Sequence, residues 1–392
     1  MSSIKISTGR IARFAALSVL VPLVGCGGAD EISRTVSSDT VDAFIGPDCM
    51  DLIPPAVIEK SGCYRMVRNF SALADGDFGI TITAPHVKLD LNGHTLTGSG
   101  PNSTAVGVHA IGVERITVKN GTFRNFLYGI RIDPSTERSV LEATVRGVHV
   151  TQGTARGIYV AADIVTVEDT QVNNLSGYTG WPASHTMAIE VAASQHSIAN
   201  NQVGDYLPEG VGEAVGISLS SPVDNCTVTN NTIDSSVAPE FGRTIGIWVA
   251  SEQSGRDSDA LLINRNSVTG ADYGFFSRNT PRIEDNKFAV ACGPWNVTTY
   301  DSYVGHNDFV THTRECTDTV EYLETLAGGD PRWKIRLAAA LIERQSVNAE
   351  EEGACEDYTR AKAILFPLVE GRLAGAVEQA ARVDLLLNRW CT

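Results

Sequence analysis

From Ile82 to Phe309 apolar residues alternate with polar ones in short runs, and no helical period intervenes. Ile116-Thr-Val118, Val165-Thr-Val167 and Cys226-Thr-Val228 are three such runs. Alternation of this kind predicts brief strands with one face turned to a core. The runs recur at a fixed place relative to a glycine motif. Gly107-Val108-His109, Gly129-Ile130-Arg131, Gly157-Ile158-Tyr159, Ala188-Ile189-Glu190, Gly216-Ile217-Ser218, Gly246-Ile247-Trp248 and Gly274-Phe275-Phe276 follow one another at offsets of 22, 28, 31, 28, 30 and 28 residues. An asparagine motif falls between them at Asn201-Gln202-Val203, Asn231-Thr232-Ile233, Asn266-Ser267-Val268, Asn286-Lys287-Phe288 and Asn307-Asp308-Phe309. Gly121-Thr122-Phe123 and Thr170-Gln171-Val172 are degenerate copies.

A unit of this size cannot bury its apolar positions alone, whereas stacked copies can, by forming parallel sheets around a shared core. The predicted fold class is therefore mainly β: a right-handed parallel β-helix, a solenoid, with a small α-helical C-terminal region. The recurrent Asn tolerates left-handed backbone angles, and its amide can bond the Asn one coil away. A β-sandwich fits the long period and the Asn register less well. The coil from Ile82 to Gly98 contains Val87-Lys-Leu-Asp-Leu-Asn92-Gly-His-Thr-Leu. Here the chain resembles the pectin-lyase-like superfamily of parallel β-helices, over roughly Asp77 to Phe309. That resemblance implies the fold, and an outer sheet face along which extended sugar chains lie. The acid motifs of the polygalacturonase family and the Asp-Pro-His motif of alginate epimerases are absent.

The two ends differ from this repeat. Between Thr319 and Trp390 strand signals stop, and Trp333, Leu337 and Leu341 fall at helical spacing, as do Val369, Leu373, Val377, Ala380 and Leu387. Pro331 and Pro367 suit helix starts. The expected organisation is a signal peptide over 1–25, a linker over 26–48, the β-helix over 49–316 and a helical region over 317–392. Residues Met1 to Gly25 join Lys5, Arg10 and Arg13 to the apolar run Phe14 to Val24. Leu23-Val24-Gly25-Cys26 resembles the lipobox of bacterial lipoproteins. The resemblance implies lipidation of Cys26, a membrane partner through that anchor, and a bacterial cell-envelope location. Gly27, where an Asp would favour inner-membrane retention, points to the outer membrane.

The formal charge is −15, and losing the three cations Lys5, Arg10 and Arg13 makes it −18. A negative field repels nucleic acid, which is excluded as a partner. Of eight Cys, Cys49/Cys63, Cys292/Cys316 and Cys355/Cys391 are the expected bridges, and Cys226 reads as a small buried apolar residue. No Cys/His metal spacing occurs, so neither a metal site nor a cofactor is expected, with calcium left open.

If the aliphatic residues of the glycine motifs point inward, the residues between them form one solvent-facing column: His109, Arg131, Tyr159, Glu190, Ser218, Trp248 and Phe276, with neighbours about 4.8 Å apart. Asp133 shares this face. Aromatic rings suit sugar CH groups, while Arg and carboxylates suit hydroxyls and uronates. Long segments beside the column carry Tyr178, Trp181 and His185, then Tyr206, Glu209 and Glu213, then Glu240, Phe241 and Arg243. On successive coils they should stack into one wall. The catalytic candidates are Glu190, Arg131, Tyr159 and His185. The binding candidates are His109, Asp133, Ser218, Trp248, Phe276, Trp181, Tyr206 and Arg243. Hydrolysis would pair Glu190 with Glu209, Glu213 or Glu240. Elimination would use Tyr159 or His185 as base and Arg131 to neutralise a carboxylate. The expected partner is a polysaccharide or other envelope glycan, bound with or without cleavage. A binding or structural role without catalysis is the alternative.

Overall fold

The computed structural model describes residues 49–391 except 72, 101, 136–138, 181–184, 211, 221–225, 240–241, 250–260, 278–280, 298–303, 311–322, 325–330, 347–353 and 372–375. Cys26, Trp181 and Cys316 lie outside the described residues. Two parallel sheets of 10 and 18 strands wind the chain into a parallel β-helix. Each coil gives one strand to the first sheet, such as Arg156–Ala161, Thr186–Ala192, Glu213–Leu219 and Arg243–Val249. Later coils give two to the second sheet, such as Gln195–Ala199 followed by Gln202–Tyr206, while Arg115–Arg124 and Glu142–Thr151 are each one continuous strand. Each strand pairs with its counterpart on the neighbouring coils.

The aliphatic residues of the glycine motifs face in as expected. Ile130, Ile132, Ile158, Val160, Ile189, Val191, Ile217, Leu219, Ile247 and Val249 are buried against Val145, Val150, Val165, Val172, Ile198, Val203, Ile233 and Val268. The motif glycines are where the two walls approach. A Cβ on Gly157 would stand 2.5 Å from both Ala188 O and Val172 Cγ1, and one on Gly246 would stand 2.4 Å from Val268 Cγ1. The repeat thus writes Gly where a side chain of the opposite sheet fills the space.

The asparagine ladder forms at the corner between the paired strands of the second sheet. Nδ2 of Asn201, Asn231, Asn266 and Asn286 each donates at 2.9 Å to Oδ1 of the Asn one coil on, ending at Asn307. The same oxygens accept the backbone N–H of the preceding ladder residue, so two buried donors per coil are satisfied. The left-handed backbone is one residue earlier than the sequence reading places it. Asn200, Asn230, Arg265, Asp285 and His306 take φ between 50° and 58°.

Cys49–Cys63 ties the first coil to the strand below, and Cys355–Cys391 closes the C-terminal end. Cys292 is also disulfide-bonded. Cys226 is fully buried, with its thiol against Ser194 O. The described helices are α1 (Pro331–Ser346), α2 (Ala354–Glu370) and α3 (Ala376–Trp390). They surround their own core, in which Leu337, Leu341, Tyr358, Leu365 and Val383 are buried. Pro331 opens α1 as expected. Pro367 does not open a helix but lies in the last turn of α2, where only one intrahelical bond is forfeited. Val377 is 60% exposed rather than on the buried face.

Candidate functional site

The outward column exists in register. His109 pairs with Arg131, Arg131 with Tyr159, Tyr159 with Glu190, Glu190 with Ser218, Ser218 with Trp248, and Trp248 with Phe276. A second outward column runs beside it through Phe78, Val106, Tyr128, Arg156, Met187, Val215, Ile245 and Tyr273. Strict alternation misses this column, because the strand bends at each motif glycine. The outward neighbour therefore stands three residues before the first column rather than two. Tyr128 and Arg156, directly before Gly129 and Gly157, were legible only with that bend in hand.

The two columns are closed over most of their length. Met187, Val215, Ile245 and Phe276 form a satellite core with Trp248 and Tyr273. Glu190 is buried and bound by Arg156, whose Nε stands 2.5 Å from Glu190 Oε2 while a terminal nitrogen donates to His185 O at 2.6 Å. Arg243 is buried, pairs with Glu213, and lies over the rings of Tyr273 and Phe276. Glu213 also meets His185 Nδ1 at 3.0 Å. The Trp248 indole reaches across to His185, with centroids 4.9 Å apart, over the coil in whose first column stands the small, fully buried Ser218. The flanking segments stack as expected: Gly177 abuts Glu209, and Gly242 abuts Pro208 and Gly212.

Several binding candidates are therefore corrected. Ser218, Phe276 and Arg243 are packed rather than presented to solvent. Tyr206 is not on a loop. It ends the strand Gln202–Tyr206 and is fully buried, and its hydroxyl donates to Ile245 O at 3.1 Å. Asp205, at φ 48°, breaks the alternation and turns Tyr206 inward. Of the catalytic candidates, Glu190 is buried on Arg156 beside Tyr159 in the ladder, while His185, 33% exposed, stands with Glu213 and Trp248.

What stays half-open is the stretch from His109 to Tyr159. His109 Nε2 is 3.2 Å from Asp133 Oδ2, and Arg131 Nε is 2.7 Å from the same oxygen. The Arg131 guanidinium lies 5.0 Å over the Tyr128 ring, Tyr128 meets Tyr159 edge-on, and His109 stacks on Phe78. The Arg131 side chain is 39% exposed, against 17% for Asp133. Burial by itself would raise the Asp133 carboxyl. The His109 hydrogen bond and the Arg131 charge outweigh it and hold the group below the usual carboxylate range. Burial raises the Tyr159 phenol, and the charges of Glu190 and Asp133 push it the same way. The Tyr159 phenol therefore keeps its proton near neutrality.

Among the described residues no cluster of three His, Cys, Asp or Glu is placed to hold a metal. The fold and this cluster define a parallel β-helix with a half-open polar cluster on its outer face. The chain matches no family model, no curated protein and no solved structure.

Proposed function

We propose that this is a lipid-anchored protein of the bacterial cell envelope that holds an extended polysaccharide along the first sheet at His109, Arg131 and Tyr159, and cleaves it by elimination. One observation carries the reading. On the outer face of the first sheet, three successive coils present an Asp-supported imidazole, a guanidinium and a neutral phenol. Hydrolysis needs a carboxyl that keeps its proton and a second carboxylate. Asp133 is held ionised and Glu190 is committed to Arg156, so elimination fits better. Arg131 neutralises the uronate carboxylate. His109 takes the proton from the adjacent carbon, whose electron pair forms the new C=C bond. The glycosidic C–O bond breaks, and the leaving oxygen takes the Tyr159 proton.

The test is a panel of uronate-containing polysaccharides, scored for unsaturated uronates and for new reducing ends. Wild-type protein should release unsaturated products. His109→Ala and Tyr159→Phe should each lower the rate by roughly 10²–10⁴ while binding persists. Arg131→Ala should weaken binding and rate together. Glycan binding without product would leave the non-catalytic binder, and no binding to any glycan would overturn both readings.

A further inference from the structure

The first coil carries a feature that glycan chemistry does not use. Met50 pairs in register with Tyr64, which is buried, yet Met50 itself is 46% exposed. It is an apolar residue exposed in the first described strand. Ile53 and Val57 in the same coil and Val67 in the next are also exposed, at 48%, 61% and 37%. Lys60, Arg65 and Arg68 are exposed among them. Against Asp51 and Glu59 these three cations make residues 49–70 net +1, on a chain of net −15. Arg65 is paired with Asp51 at 3.0 Å, which leaves Lys60 and Arg68 as the outward cations. Bare aliphatic side chains interleaved with basic ones are what an anionic membrane surface attracts.

The position of this patch agrees with that partner. The Cys49–Cys63 disulfide fixes the chain's entry at this end, and Cys49 follows Cys26 by 23 residues in the sequence. From the structure we infer that the first-coil end rests on an anionic lipid bilayer. Met50, Ile53, Val57 and Val67 enter the headgroup boundary, and Lys60 and Arg68 meet lipid phosphates. Val57, Thr81 and His109 occupy successive places in one column. The polar site then stands two coils, about 10 Å, above the end that touches lipid. This inference does not depend on the glycan reading.

The experiment uses the full chain with vesicles of phosphatidylcholine, with or without phosphatidylglycerol, carrying brominated acyl chains. Val57→Trp and, separately, Ile53→Trp report contact at the first coil. Val237→Trp, exposed on a distant coil, is the control, and each is read against the wild-type background. Strong quenching is expected at Val57→Trp and Ile53→Trp, and none at Val237→Trp. Lys60→Glu with Arg68→Glu should weaken binding to anionic vesicles by at least about fivefold per site. Equal quenching at all three positions, no vesicle binding, or first-coil quenching that survives charge reversal would overturn the inference. The last result would mean that the N-terminal segment alone brings this end near lipid. Circular dichroism of each variant separates misfolding from lost contact.

Discussion

Two buried polar residues illustrate how single side chains are committed in this fold. Asn231 is 1% exposed, and its amide serves the coils on both sides. Asn231→Ala leaves the Asn201 backbone N–H and the Ile198 carbonyl without their partners, so roughly 3 kcal/mol of stability should be lost in urea unfolding. Asn231→Asp should recover little, because an acid cannot donate to Asn266. His196 projects into the core between Val165 and Cys226, and burial pulls its pKa down to about 4. The folded state therefore binds its proton more weakly than the unfolded chain. Stability is complete above the unfolded value near 6.5, falls as the pH drops, and levels off below about 4. Roughly 3 kcal/mol is at stake, and His196→Leu should flatten that part of the pH–stability curve. The Asn positions were legible from their spacing. The fate of His196 was not, because nothing local tells a core imidazole from an exposed one.

At the scale of elements, the glycine motif acts as a spacer between walls. Gly246→Ala forces a methyl against Val268 and Gly274 O and should cost about 1–3 kcal/mol, read as a lowered unfolding midpoint. Ala188 at the equivalent place shows that one coil absorbs a methyl. Strand order, register and inward faces could all be read from the repeat, since period two and period one coil were both written in it. The second outward column could not, because the bend at glycine shifts the alternation. The closure of the face over Ser218 and Phe276 was equally hidden. It depends on a Trp248 ring crossing an intervening coil to reach His185.

For the whole molecule, two separate cores predict two unfolding transitions. The β-helix core draws on residues from Leu52 to Phe288, and the helical core on residues from Leu323 to Val383. Calorimetry should resolve them, and Cys355→Ser with Cys391→Ser should lower only the helical one. The 36-residue separation of that bridge corresponds to about 4 kcal/mol of loop entropy. A single transition, unmoved by that double substitution, would show that the helices depend on the stack. By itself the sequence determined the solenoid, its ladder, its inward residues and the outward column, because each follows from short-range spacing repeated coil after coil. Only the tertiary structure decided which part of that column meets solvent. Side chains from non-adjacent coils and the stacked segments beside them buried Glu190, Ser218, Arg243 and Phe276. They left His109, Arg131 and Tyr159 half-open, and burial by distant neighbours is a property that no local pattern encodes.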